Sequence, residues 1–167
     1  MKKLFLFSMM CLLALSMQAQ RCAVLDFQIG TGITEDDIDG ISFNFRSNFR
    51  PTGYTMLERT QINRAIKELG FDRTDMTMQQ MLQLGRTLDA SMIVVGTINK
   101  FLDEYSVDIR VIYVSTGITA ATEGITFERT AYRTSMESLA QILSSKLTSS
   151  ENETYNSSTS LPKKLEF

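Results

Sequence analysis

The sequence predicts a mixed α/β (α+β) domain: a single five-stranded sheet with helices packed on it. Three observations carry this. Apolar runs of strand length alternate with segments whose apolar residues recur at helical spacing, in the order β-α-β-α-α-β-β-β-α. Helices separate the early strands, which calls for right-handed crossovers and parallel neighbours. Only short turns separate the later strands, which makes them antiparallel. The resulting strand order is 2-1-3-4-5. A chain of 167 residues, 43% hydrophobic and 22% charged, supplies one compact core and shows no internal repeat.

The first strand is the run CAVLDF at 22–27. Gly30 and Gly32 turn the chain, and Thr34 with Asp37 resembles a capping box. Ile38, Ile41, Phe45 and Phe49 then give the first helix an apolar stripe, which ends before Pro51 and Gly53. The second strand is 54–57. Thr60 is the expected cap of a helix that buries Ile62, Ala65, Ile66 and Leu69 and closes on Gly70. Thr77 and Gln80 form a capping box before Met78, Met81, Leu82, Gly85 and Leu88. The central strand is 92–95, extending toward Phe101. In 105–114 the residues Val107, Ile109, Val111 and Tyr113 alternate with Asp108, Arg110 and Ile112, so one face is buried. Thr116-Gly117 turns into a last strand at 118–127. A final helix is expected from Thr134, paired with Glu137, with Met136, Leu139, Ala140, Leu143 and Leu147 on its apolar side.

The ends read differently. Residues 1–19 form a signal peptide: Lys2 and Lys3, an apolar run at 4–15, and Ala19 before the expected cut at Gln20. That run is shorter than the roughly 20 residues a membrane-spanning helix needs. The folded domain is then 20–147, and 148–167 is a polar tail expected to be flexible, with sequons at Asn152 and Asn156. Cys11 departs with the leader, leaving Cys22 and no intramolecular disulfide. Lipid anchoring at Cys22 is not expected, because Arg21 stands where lipoprotein processing needs a small residue. Cys22 reads instead as a small apolar side chain beside the first strand. The protein is therefore expected to be exported, periplasmic and soluble.

Composition excludes several functions. The formal charge is -2, and the 17 basic residues less Lys2 and Lys3 leave 15 against 19 acidic ones. Such a balance does not neutralise a nucleic-acid backbone. With no histidine, His-based triads and most catalytic zinc sites are closed.

Four candidate sites carry chemistry on paper. Gly30-Thr31-Gly32 sits between strand and helix like a phosphate loop, but Glu35, Asp36 and Asp37 at the helix start would repel an anion, so it reads as a tight turn. Glu35, Asp37, Asp39 and Gly40 resemble half of a calcium loop whose closing glutamate is replaced by Arg46. Asp26 at a strand end faces Glu58-Arg59 at the end of the next strand. It reads as a structural ion pair or cap rather than an acid–base group, which would need a cleft and a partner. Met76, Met78, Met81 and Met92 cluster about the third helix. Met78 and Met81 read as core, and loop residue Met76 as the exposed one. No catalytic, cofactor or metal residue is assigned, and no partner-binding residue is singled out.

Several segments resemble a known family. These are AVLDF (23–27), YTMLERTQINRAIKELGF (54–71), LGRTLDASMIVVGTINKF (84–101) and the Ser-Thr-Gly turn at 115–117. Together they resemble the CsgG-type curli production assembly and transport family, including its LpoB-type activators of penicillin-binding proteins. The resemblance implies a periplasmic, non-enzymatic α/β domain without cofactors. It would bind and regulate, or help assemble, a larger envelope complex, with a peptidoglycan synthase or a secretion component as partner. A self-associating subunit of a secretion or surface-assembly complex is the alternative, and a small periplasmic hydrolase or ligand-binding protein the second. Against that resemblance, the sequence is expected to lack the extra strand pair with which channel-forming members span the outer membrane, and the linker and lipidated cysteine of the activators.

Overall fold

The structure, a computed structural model, describes residues 20–159. The expected leader and the end of the expected tail, 160–167, lie outside the described residues. Six strands and four helices follow in order: β1 Gln20–Val24, β2 Gln28–Ile29, α1 Glu35–Asn48, β3 Tyr54–Met56, α2 Arg59–Leu69, α3 Met78–Thr87, β4 Met92–Phe101, β5 Glu104–Tyr113, β6 Thr119–Glu128 and α4 Tyr132–Thr159. A 3-10 turn at Arg129–Ala131 leads into α4.

The sheet order is β3-β1-β4-β5-β6, the expected order. β1 runs parallel to both β3 and β4, and β4, β5 and β6 form an antiparallel meander. Alternation along the strands sends side chains into two cores. Cys22, Val24, Met92, Val94 and Val107 face α1 and α4, whereas Ala23, Leu25, Ile93, Val95 and Ile112 face α2 and α3. On the α1 side Phe45 lies between Phe27 and Phe49, with ring centroids 5.6 and 5.2 Å away. Each such fully buried side chain stabilises the fold by roughly 2–3 kcal/mol. Gly96 on β4 makes room for this aromatic stack, since a Cβ there would lie 2.6 Å from Phe27.

The sheet has a sixth strand because the expected first strand is broken. After Val24 the chain leaves regular pairing at residues 25–27, and β2 then rejoins β4 at Thr97 and Ile98. Asp26 occupies that break, and the Phe27 N–H is taken up by the Ser42 hydroxyl at 3.2 Å instead of a strand partner. An acidic side chain cannot enter either apolar core, so the backbone turns it aside.

Helix starts differ from expectation as well. The Thr77/Gln80 capping box forms in full, and Gly70 caps α2 in the left-handed region at φ 67°. The Thr34 hydroxyl, however, donates to Asp37 at 2.9 Å and caps no backbone N–H. α2 starts at Arg59, ahead of Thr60, and α4 starts at Tyr132, ahead of Thr134. The Thr134 hydroxyl donates to the Ala131 carbonyl. α4 also continues past Leu147 to Thr159, so the first part of the expected tail is helical backbone. Propagating a helix already nucleated by packing requires only one residue at a time to be fixed, which even a Ser- and Thr-rich run can follow. Met76 is buried, at 4% exposure, contrary to the expectation of a surface residue. Its loop folds under the sheet edge, and its carbonyl accepts from Gln28 Nε2 at 2.8 Å. Among the described residues no helix is long and apolar enough to cross a membrane.

Candidate functional site

The break after β1 places Asp26 at the carboxyl end of a parallel strand. Here α1 leaves on one face of the sheet, while α2 and α3 cover the other. Crevices of this kind, where successive crossovers part to opposite faces, are where open α/β sheets put their polar groups to use. Three arginines from three elements converge on this carboxylate, whose side chain is 2% exposed. Arg46 of α1 donates to Oδ1 at 2.6 Å, Arg59 at the start of α2 to Oδ2 at 3.4 Å, and Arg73 from the α2–α3 loop to Oδ2 at 3.2 Å. Asp39 extends the network, accepting from Arg59 at 2.9 Å and from Arg73 at 3.3 Å.

Two aspartates thus face three guanidinium groups, leaving one positive charge in excess. Partial desolvation works against ionisation of Asp39, but its bonds to Arg59 and Arg73 outweigh that and hold its carboxyl below the ordinary range. Burial opposes the charge on Arg59 in the same way, and Asp26 and Asp39 more than restore it. The pairing of Asp26 with Arg59 was legible in the sequence. No local pattern marks Arg46 and Arg73 as its partners: Arg46 is one helix away, and Arg73 lies in a loop whose path no periodicity indicates.

Beside the network a surface cleft of about 350 Å³ runs between α1 and the β3–α2 connection. Arg46, Arg50, Arg59 and Glu58 line it, with Phe43 at its mouth. Phe43 is 60% exposed, although it belongs to a helix with an ample buried face. Arg50 Nη1 donates to the carbonyls of Arg46 and Phe49, which holds its stem against the end of α1. The Nε atoms of Arg46 and Arg59 are buried without a hydrogen-bond partner among the described residues. The cleft therefore combines an exposed aromatic ring with a net positive lining.

The other expected sites resolve into structural roles. At Gly30 a Cβ would meet the Asn99 side chain and the Ile98 carbonyl at 2.1 and 2.3 Å, and Gly32 adopts φ 73° with the Lys100 carbonyl 2.7 Å from its Cβ position. This is a tight turn pressed onto β4, with no room for a phosphate. The calcium-loop residues diverge: Asp37 pairs with Arg129 at 3.5 Å, Asp39 with Arg59 and Arg73, and Arg46 with Asp26. Met81 and Met92 are core on opposite faces of the sheet, and Met78 is partly buried against the cluster that holds Met81. Cys22 is fully buried in β1, and burial pushes its thiol up to about 12.

No family model matches the chain, and no curated protein matches it. Solved structures are similar in fold. The C-terminal domain of LpoB from Salmonella enterica has a TM-score of 0.51 at 13% identity, covering 66% of this chain and 84% of that one. Lipoprotein GNA1162 from Neisseria meningitidis has a TM-score of 0.55 at 10% identity, covering 65% and 80%. TolB from Acinetobacter baumannii has a TM-score of 0.54 at 13% identity, covering 79% of this chain and 29% of that one. At such identities the likeness is one of fold.

Proposed function

We propose that the protein is an exported, non-enzymatic module of the cell envelope. It binds a larger envelope protein, such as a peptidoglycan synthase or a secretion component, and regulates it or helps assemble its complex. The contact surface is the cleft beside Phe43, and the segment it receives is acidic. The observation that carries this is an exposed ring set among Arg46, Arg50 and Arg59. Aromatic and arginine side chains dominate the binding energy of protein interfaces. Both Asp26 oxygens already serve as counter-ions, which favours a structural role for that carboxylate over acid–base work. The strand order and the fold likeness to LpoB C-terminal domains support the LpoB-like side of the resemblance read from the sequence, and no comparison supports its CsgG-type side. Burial of Cys22 within β1 supports a protein not anchored through that thiol. The test is covalent capture in cells with the tagged protein and a Phe43→Ala/Arg50→Glu double variant. The proposal expects one envelope protein recovered by the parent and lost, by tenfold or more, by the folded variant. Equal recovery by both removes the cleft from the contact.

A second reading is favoured by one feature. β6 ends the sheet with ten residues and, among the described residues, no further strand beside it. Such an edge is a template for pairing with another chain, and would serve a self-associating assembly subunit. A defined oligomer that dissociates when a proline replaces Thr122 would favour this reading. A monomer at working concentration would oppose it.

A further inference from the structure

A second site, on the α1–α4 side of the sheet, is independent of the contact reading. Tyr105 of β5 is 2% exposed and stacks on Phe127 of β6, with centroids 5.9 Å apart and planes at 11°. Its hydroxyl has no hydrogen-bond partner among the described residues. A buried hydroxyl without a partner is unfavourable, and a phenylalanine would occupy the same stack without that penalty. Tyr105 borders two cavities. One of about 160 Å³ is walled by Gly40, Ile41, Phe127 and Tyr132, with Asp37 and Arg129 at its edge. The other, of about 270 Å³, shares Tyr105 and Arg129 and reaches Lys100, Asp103 and Glu128.

Gly40 is the second observation. It sits within helix α1, where glycine is less favourable than alanine. Beyond the local backbone of its own helix, no atom lies within 4 Å of where its Cβ would be. Gly40 is solvent-exposed, and neither packing nor backbone conformation demands a glycine here; a longer side chain would stand at the edge of the smaller cavity, which Gly40 lines. Tyr105 and Gly40 thus line one cavity, and a ligand there would give the hydroxyl the partner it lacks.

We infer that this cavity binds a small, uncharged organic molecule with a flat apolar body and an oxygen that accepts a hydrogen bond from the Tyr105 hydroxyl. The volume suits a single ring, being below that of pockets for larger ligands. The charged groups around the two cavities, Arg129 and Lys100 against Asp37, Asp103 and Glu128, leave an anion no net counter-charge. At the smaller cavity Arg129 balances Asp37, which leaves a cation no net counter-charge there either. The ligand displaces water from Ile41, Phe127 and Tyr132, and a small adjustment of the Tyr105 ring brings its hydroxyl to the ligand oxygen.

The test is NMR titration of the isotope-labelled exported protein with benzamide, and with toluene and benzoate as comparators. Saturable shifts of the Gly40 and Phe127 amides with benzamide are expected, and weaker binding of benzoate. Tyr105→Phe should weaken benzamide at least fivefold and leave toluene unchanged, and Gly40→Leu should abolish binding of both. If Gly40→Leu does not fold, Tyr105→Phe still decides. Absence of saturable shifts at Gly40 would overturn the inference. So would a Tyr105→Phe protein that binds benzamide as tightly as the parent, or benzoate bound more tightly than benzamide.

Discussion

Arg46 reaches from the last turn of α1 to Asp26 at 2.6 Å, and so fastens the first helix to the point where the first strand breaks. The Arg46 side chain is 15% exposed and that of Asp26 2%, which makes this the most buried ion pair of the network. Arg59 and Arg73, at 35% and 32%, approach the same carboxylate from the solvent side.

Removing the central carboxylate leaves buried positive charge uncompensated. Asp26→Ala is expected to destabilise the fold by on the order of 3 kcal/mol. Arg73→Met, which deletes a partly solvated partner, is expected to lose less than about 1 kcal/mol. Urea denaturation of the two variants checks the ranking. Equal losses would contradict it.

Asp39 sets a pH dependence at the acid end. Its folded value lies below the ordinary 3.8, so its contribution is complete above that value and is lost as pH falls through the lower folded value. An Asp39→Asn protein should start less stable at neutral pH and show a flatter fall in Tm below 3.8. The effect is modest because the side chain is 53% exposed.

Cys22 sets one at the alkaline end. Its folded value is raised from 9.0 to about 12, so its contribution is complete below 9.0 and declines between 9.0 and about 12 as the unfolded thiol ionises first. Cys22→Ala should flatten the loss of Tm over that interval. The parent thiol should resist alkylation until the protein is unfolded, since the thiolate is the reactive form.

Two glycines should respond oppositely to alanine. Gly96→Ala drives a methyl group into Phe27 and is expected to cost about 1–3 kcal/mol by overpacking. Gly40→Ala meets open space within a helix and is expected to gain up to ~1 kcal/mol. Thermal unfolding of the pair measures both. A loss at Gly40 would mean that its wall is needed empty for stability itself.

The sheet was legible because its signals are local. The Ile38/Ile41/Phe45/Phe49 stripe, the alternation from Tyr105 to Val111 and the turn glycines each act within a few residues, and together they prescribe the strand order. Helix starts were less so. Thr34, Thr60 and Thr134 all look like caps, but only Thr77 has its hydroxyl and its partner Gln80 in register. The burial of Met76 and the arrival of Arg73 at Asp26 depend on how the 70–77 loop folds back, which no period records. The Tyr105 cavity arises from three segments distant in sequence, each of which reads alone as ordinary packing.

The most direct test of the account is photo-cross-linking in cells with a reactive residue placed at Phe43, compared with one at Gln79, exposed on α3 across the sheet. The account predicts a discrete adduct with a single envelope protein from position 43, absent from position 79 and abolished by Arg50→Glu. Adducts of equal yield from both positions, or adducts from 79 alone, would contradict it.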